Sequence, residues 1–272
     1  TKGFIKLGNE RVVDARLNDA RFFWEKNKSQ NLIKQISKLK SINYFEGLGS
    51  YFDKVQRMRK LGAMISDEML ISKDKVELLT SICKIDLISD IVNEFPELQG
   101  IMGGYFASSQ GFDKDISLSI SEHYLPTGLD SRVPRKPFSV ALALTDKMDT
   151  LVGFFGINQK PTSSKDPYAL RRSALGIIRL LLENKKEFKI SDLINYSISL
   201  YKDQGFKFQN DNVQKELSLF LIDRLKFYMK EKDIRYDIIE ASINSFSIDH
   251  ASKMYNKALA LNRIIIKDIG ND

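Results

Sequence analysis

Proline placement constrains this chain more than any other feature. Only six prolines occur in 272 residues, at Pro96, Pro126, Pro134, Pro137, Pro161 and Pro167. Proline breaks helix interiors because it removes a backbone donor and clashes with the preceding turn. Between these breaks the apolar residues recur at helical spacing. Val13, Leu17, Ala20 and Trp24 share one face of GNERVVDARLNDARFFWEKNK, and Phe52, Val55, Met58 and Ile65 share one face of SYFDKVQRMRKLGAMIS. DKVELLTSICKIDLISDIVNEF is apolar on more than one side, as a central helix would be. PFSVALALTDKMDTLVGFFG reads as a buried helix. NVQKELSLFLIDRLKFYMKEK carries a stripe of Leu217, Phe220, Leu221, Leu225 and Tyr228, and ASKMYNKALALNRIIIK closes the chain as another helix. No period-two run and no Asn-Gly turn marks a hairpin. The expected fold class is all-α. A polar break, KDQGFKFQND at 202–211, separates two helical blocks and places the expected domains at 1–204 and 205–272.

A single cysteine, Cys83, rules out a disulfide within the chain and suits a reducing, cytoplasmic setting. No apolar run approaches the ~18 residues of a membrane span; Ile177–Leu182, the longest, is broken by Arg179. The start, TKGFIKLGNER, lacks a signal-peptide pattern and begins with Thr, so a piece of a longer protein is expected. Net charge is +7, from 42 Lys+Arg against 35 Asp+Glu. That excess permits an anionic partner without requiring one.

The basic excess has a local source. In PTSSKDPYALRRSALGIIRLL (161–181), Asp166 suits an N-cap and Pro167 the first helical position, predicting a helix over 167–184. Leu170, Ala174, Ile177 and Leu181 form its core stripe, while Arg172, Gly176, Arg179 and Glu183 lie on a different face. Residues 157–186 hold seven Lys/Arg against Asp166 and Glu183. Lys160, Lys165, Arg171 and Arg172 flank the helix start, where amides and guanidinium groups suit phosphate oxygens. SRVPRKP adds Arg132, Arg135 and Lys136. Such contacts position a nucleic acid without reading its sequence. The alternative is ordinary solvated charge with local ion pairs around Asp166.

Catalytic patterns are weak. Asp146, in ALALTDKMDTL, sits on an otherwise apolar helix with Asp149 three residues on. A buried aspartate must be paired or bound to metal. Lys147 and Lys84 offer pairing; the two histidines, His123 and His250, stand far apart and leave a metal site short of ligands. Cys83, between Ile82 and Ile85, reads as a buried inert thiol in mid-helix. The chain has no P-loop and no GxGxxG, and the glycine pair of MGGYF (102–106) follows no strand. By its residues alone the chain is a helical, weakly basic, non-catalytic module.

Several stretches together carry a resemblance. GNERVVDARLNDARFFWEKN, LGSYFDKVQRM, CKIDLISDIVNEFPELQGIMGGYFA, EHYLP and ALALTDKMDTLVGFFGINQKPTSSKDPYALRRSALGIIRLLLE resemble, in order from Gly8 to Glu183, the β subunit of the two-subunit (α2β2) bacterial glycyl-tRNA synthetases. LSLFLIDRLKFYMKEKDIRYDIIEASI is similar to the start of the helical anticodon-binding domain of these and arginyl-type enzymes. The resemblance implies a central portion of a longer subunit: an HD-like helical domain, then the opening of an anticodon-binding domain. It implies glycine tRNA, the α subunit and the remainder of β as partners, with no membrane. It implies that ATP, with Mg, is used on the α subunit and that this portion binds no cofactor or metal of its own. The HD-like domain would lie toward the acceptor arm of the tRNA.

The same resemblance implies a degenerate metal site. In HD phosphohydrolases a His, a His-Asp pair and a later Asp hold the metal. Here the last position matches Asp146, the pair falls on Cys83 and Lys84, and the first His falls around Asp53. A lysine where a carboxylate belongs repels a divalent cation. Two other readings stay open: a diverged HD phosphohydrolase, and a scaffold for subunit assembly that uses the amphipathic helices at 212–231 and 249–266.

Overall fold

Short polar side chains start many of the helices in the computed structural model, which describes residues 2–162, 165–243 and 247–269. Ser50 forms a reciprocal capping box with Asp53 at the head of α3 (Tyr51–Met69). Ser72 caps α4 (Lys73–Ile82), Ser89 caps α5 (Asp90–Glu94) and Asp113 caps α7 (Lys114–Glu122). The remaining helices are α1 (Lys2–Lys28), α2 (Leu32–Gln35), α6 (Ile101–Ser109), α8 (Pro137–Gly156), α9 (Leu170–Glu183), α10 (Ile190–Asp203), α11 (Val213–Lys230), α12 (Tyr236–Ile243) and α13 (Ala251–Ile269). The chain is all-α, as its apolar spacing predicts.

Helix α8 is the axle of the molecule. It is buried from Ser139 to Asp149 and touches α3, α7, α9, α10 and α11. Leu142 faces a smaller apolar cluster with Val55, Met58, Leu79, Cys83 and Ile120. Val140, Ala143, Leu144 and Met148 face a larger cluster. That larger cluster continues through α9, α10 and α11 to Met254 and Ala258 of α13, so apolar packing runs across residue 205.

Four local expectations need correction. The stretch 74–95 is not one helix: α4 stops at Ile82, and a 3-10 turn (Ile85–Ile88) precedes α5. Asp86 turns its carboxylate onto the amides of Gly100 and Gly103, and the Ser89 hydroxyl oxygen accepts the amide of Val92, so side-chain bonds compete with helix continuation. Cys83 accordingly ends α4 rather than sitting mid-helix, though it is fully buried. A two-stranded hairpin, β1 (Asn43–Phe45) and β2 (Gly49–Ser50), exists without an Asn-Gly signal. Gly47 and Gly49 supply its positive φ values, 81° and 79°. Finally, only the end of α1 packs. Trp24 stacks on Phe106 at 5.6 Å, while Val13 and Leu17 of the predicted core face are exposed.

Helix α9 also begins later than predicted, at Leu170 rather than Pro167. Ala169 adopts φ 54° at the entrance. Asp166 still caps the helix, from further back, accepting the amides of Leu170 (2.8 Å) and Arg171 (2.9 Å). Leu170, Ala174, Ile177 and Leu181 are buried as predicted, but so are Gly176 and Arg179 on the other face.

Candidate functional site

Helices α3, α4, α7 and α8 converge on a buried cluster of charge. Asp146 Oδ1 lies 3.2 Å from Lys54 Nζ and 3.1 Å from Lys84 Nζ. Lys54 also reaches Asp149 Oδ2 at 3.1 Å and Thr150 Oγ1 at 2.9 Å. Asp149, one turn along α8, takes Arg57 Nε at 2.7 Å and Nη2 at 3.3 Å in a two-pronged pairing. Arg57 stacks over Tyr201, 3.7 Å from the ring centroid. Lys84 Nζ donates to His123 Nε2 at 2.8 Å, and His123 Nδ1 lies 2.6 Å from the Ile120 carbonyl. A histidine with Nδ1 donating and Nε2 accepting is neutral.

Burial opposes both aspartates as anions, yet the lysines outweigh it at Asp146, and Arg57 with Lys54 at Asp149, so both carboxyls are held below the usual range. Burial works against the Lys54 ammonium too, but Asp146, Tyr44 and Asp149 hold its pKa well above the ordinary value. Lys84 has Asp146 as its carboxylate partner, and there burial wins and lowers it. Burial, reinforced by Lys84, lowers His123 to about 3. Burial pushes the Cys83 thiol up to about 12, as for an inert core thiol.

The four positions matched to the HD metal site divide. Lys84 pairs with Asp146, and the buried Cys83 precedes it in the chain with its thiol on the Thr80 carbonyl. Asp53 does not join them: its carboxylate bonds the Ser50 amide (2.8 Å) and hydroxyl (2.7 Å). Its neighbour Lys54, about 100° further round α3, takes that place. Lys147, offered by the sequence as a partner for Asp146, instead donates to the Tyr124 carbonyl at 2.8 Å. The donor set does not fit a divalent cation, because ammonium groups already occupy the carboxylate oxygen that would bind one. No cluster of three or more His, Cys, Asp or Glu suited to a metal occurs among the described residues.

The basic candidates take no part in this network. Lys165, Arg172 and Lys136 are exposed and have no ion pair among the described residues. Arg171 is half-buried and donates to the Thr162 carbonyl, tying the loop to α9. The others are engaged: Lys160 with Glu216 (2.5 Å), Arg132 with Glu122 (2.8 Å) and Arg135 with Glu183 (3.0 Å). Arg179 is structural, bonding Glu183 and the carbonyls of Gly128 and Ser131. Ser163 and Ser164 of the same loop lie outside the described residues.

A family model described as "Glycyl-tRNA synthetase beta subunit" matches residues 1–244. The chain belongs to the glycyl-tRNA synthetase β-subunit family. It is 41% identical to the glycine–tRNA ligase β subunit of Rickettsia canadensis over 94% of its own length and 36% of the relative's. It is 38% identical to that of Clostridioides difficile (97% and 38%) and 40% identical to that of Rhodospirillum centenum (87% and 33%). The chain thus spans about a third of the length of these relatives.

Membership of the β-subunit family leaves Lys54, Arg57, His123 and Tyr201 as residues that the sequence reading did not connect to Asp146 and Asp149. They come from α3, the end of α7 and α10, so no spacing within one segment links them. Lys54 and Arg57 did carry a signal: two cations three residues apart on an otherwise apolar helix face.

Proposed function

We propose that this chain is a tRNA-binding, non-catalytic portion of a glycyl-tRNA synthetase β subunit. Its role is to support the ATP-dependent attachment of glycine carried out on the α subunit, within an assembly of α, the rest of β and glycine tRNA. The observation that carries the reading is the basic surface around the start of α9. There Lys165 and Arg172 have no ion pair among the described residues, and Lys136, whose neighbour Arg135 pairs with Glu183 at the other end of α9, is a further exposed cation without one among them. Cations left unpaired on one side of a domain suit a phosphate backbone. The lysine-filled network at Asp146 supports the non-catalytic part, because it commits the carboxylate that metal hydrolysis would need.

The test is affinity for glycine tRNA and for an unrelated tRNA at ~50 and ~200 mM salt. Steep salt dependence is expected from phosphate contacts. Preference for glycine tRNA would add recognition, and equal affinity would mean backbone contact alone. No binding at either salt would remove the proposal. A second reading, a scaffold without RNA contact, is favoured by α1, whose Ile5, Val12, Val13, Leu17 and Phe22 are exposed. It predicts that the α subunit copurifies with the chain, that Leu17→Gln or Phe22→Ser weakens that association, and that the chain alone does not bind tRNA.

A further inference from the structure

A cleft of about 490 Å³ opens above the buried charge network, between the 124–127 segment, α8 and the start of α9. Three charged residues line it: Asp146, Lys147 and Arg172. Asp146 is ion-paired with Lys54 and Lys84; it attracts Lys147 through space but makes no ion pair with Lys147 or Arg172 among the described residues. The neighbouring buried carboxylates are also committed, Asp149 to Arg57 and Lys54, and Asp86 to the Gly100 and Gly103 amides. Lys147 spends one donor on the Tyr124 carbonyl and lacks an ion pair among the described residues. Arg172 has neither hydrogen bond nor ion pair among them, and the Thr127 and Ser173 hydroxyls on the walls are likewise without partners.

We propose that this cleft binds a phosphoryl group, with Arg172, Ser173, Thr127 and Lys147 as its donors. The donors come from three separate segments, α8, α9 and the 124–127 loop, and so from more directions than a planar carboxylate presents. A guanidinium fork, two hydroxyls and an ammonium together suit a tetrahedral oxyanion. The first amides of α9 are not the donors: Asp166 already takes those of Leu170 and Arg171. Lys147 is built into position. A Cβ on Gly176 would come within 2.7 Å of Lys147 Cε, so only glycine there leaves room for the lysine stem to run under α9. Burial lowers Lys147 to about 8 against the pull of Asp146, so the ammonium persists at neutral pH. The cleft is larger than one phosphate, which leaves space for the nucleoside or chain that carries it.

The phosphoryl group could belong to a free nucleotide or phosphate, or to RNA. The experiment starts with inorganic phosphate titrated into the purified chain without RNA, at constant ionic strength, read by calorimetry and ³¹P line width. Saturable binding is expected. Arg172→Gln, which breaks no internal contact, should weaken it at least about tenfold with unchanged circular dichroism. Gly176→Ala should weaken it by displacing Lys147. Lys215→Gln, an exposed position on α11 outside the cleft, should leave it unchanged. Absence of saturable binding, or equal loss in Lys215→Gln, would overturn the proposal whether or not tRNA binds. With binding established, tRNA displaced competitively by phosphate assigns the group to RNA, and tRNA indifferent to phosphate assigns it to a free ligand.

Discussion

Asp146 serves two ammonium groups through one oxygen, and that arrangement sets the consequences of changing any member of the cluster. Asp146→Asn leaves Lys54 and Lys84 buried with less compensation, and should destabilise the fold by about 3–5 kcal/mol in urea unfolding at pH 7. His123 gives a pH signature of known sign. Its folded pKa is about 3, below the ordinary histidine value of 6.5, with burial the main cause and Lys84 the next. Below pH 6.5 the unfolded chain takes up a proton that the native imidazole refuses. This contribution is therefore full above pH 6.5 and is lost as pH falls toward 3. Asp86 acts in the opposite sense: burial raises it to about 6, so it costs stability as pH rises from 4 to 6. The comparison that isolates the histidine is His123→Gln against the parent chain. The stability gap between them should shrink by up to about 1.4 kcal/mol per unit as pH drops from 6.5 to 5. A gap independent of pH would mean that the imidazole binds protons equally in the folded and unfolded chains.

At the scale of elements, the glycine pair of MGGYF turns out to be a packing device. A Cβ on Gly103 would meet Ile120 Cγ2 at 2.8 Å, and one on Gly104 would overlap Ser121 Oγ and come within 2.6 Å of the Ser117 carbonyl. Helices α6 and α7 approach at that pair, and a backbone carbonyl cannot step aside as a flexible side chain can. Gly104→Ala should lower the thermal midpoint by the equivalent of about 1–3 kcal/mol. Gly128→Ala, where a Cβ meets nothing within 4 Å, should leave it unchanged. The same reasoning separates the apolar helices. Periodicity in α1 and α11 looks alike in the sequence. Yet Leu217, Leu221 and Leu225 of α11 are fully buried, while Val13 and Leu17 of α1 are exposed, because among the described residues the apolar packing on α1 begins only near Phe23 and Trp24.

At the scale of the molecule, charge and burial divide the basic residues into two sets. Arg57 and Arg179 are structural, each buried and bonded, and their replacement should cost folding before it costs binding. Arg171 and Arg172 face the proposed RNA side. Arg171→Glu with Arg172→Glu should weaken tRNA affinity and flatten its dependence on salt by roughly two phosphate contacts. Unchanged affinity and slope in that variant would show that the α9 start is not the RNA surface. No helix among the described residues is long and apolar enough to cross a membrane.

Helical content, the buried α8 and the amphipathic stripes of α9 and α11 were all legible in the sequence. They depend on local spacing, and 3.6-residue periodicity is a property of consecutive residues. The presence of Asp146 on an apolar helix and the basic character of 160–172 were legible for the same reason. The partners of Asp146 were not. Lys54 and His123 come from helices far apart in the chain, and a one-residue turn of α3 decided that Lys54 rather than Asp53 points inward. The cleft over Lys147 depends on how closely α9 crosses α8 at Gly176. Local sequence sets which side chains an element offers; which of them meet is set by the angles at which elements pack, and these follow from contacts between residues far apart in the chain.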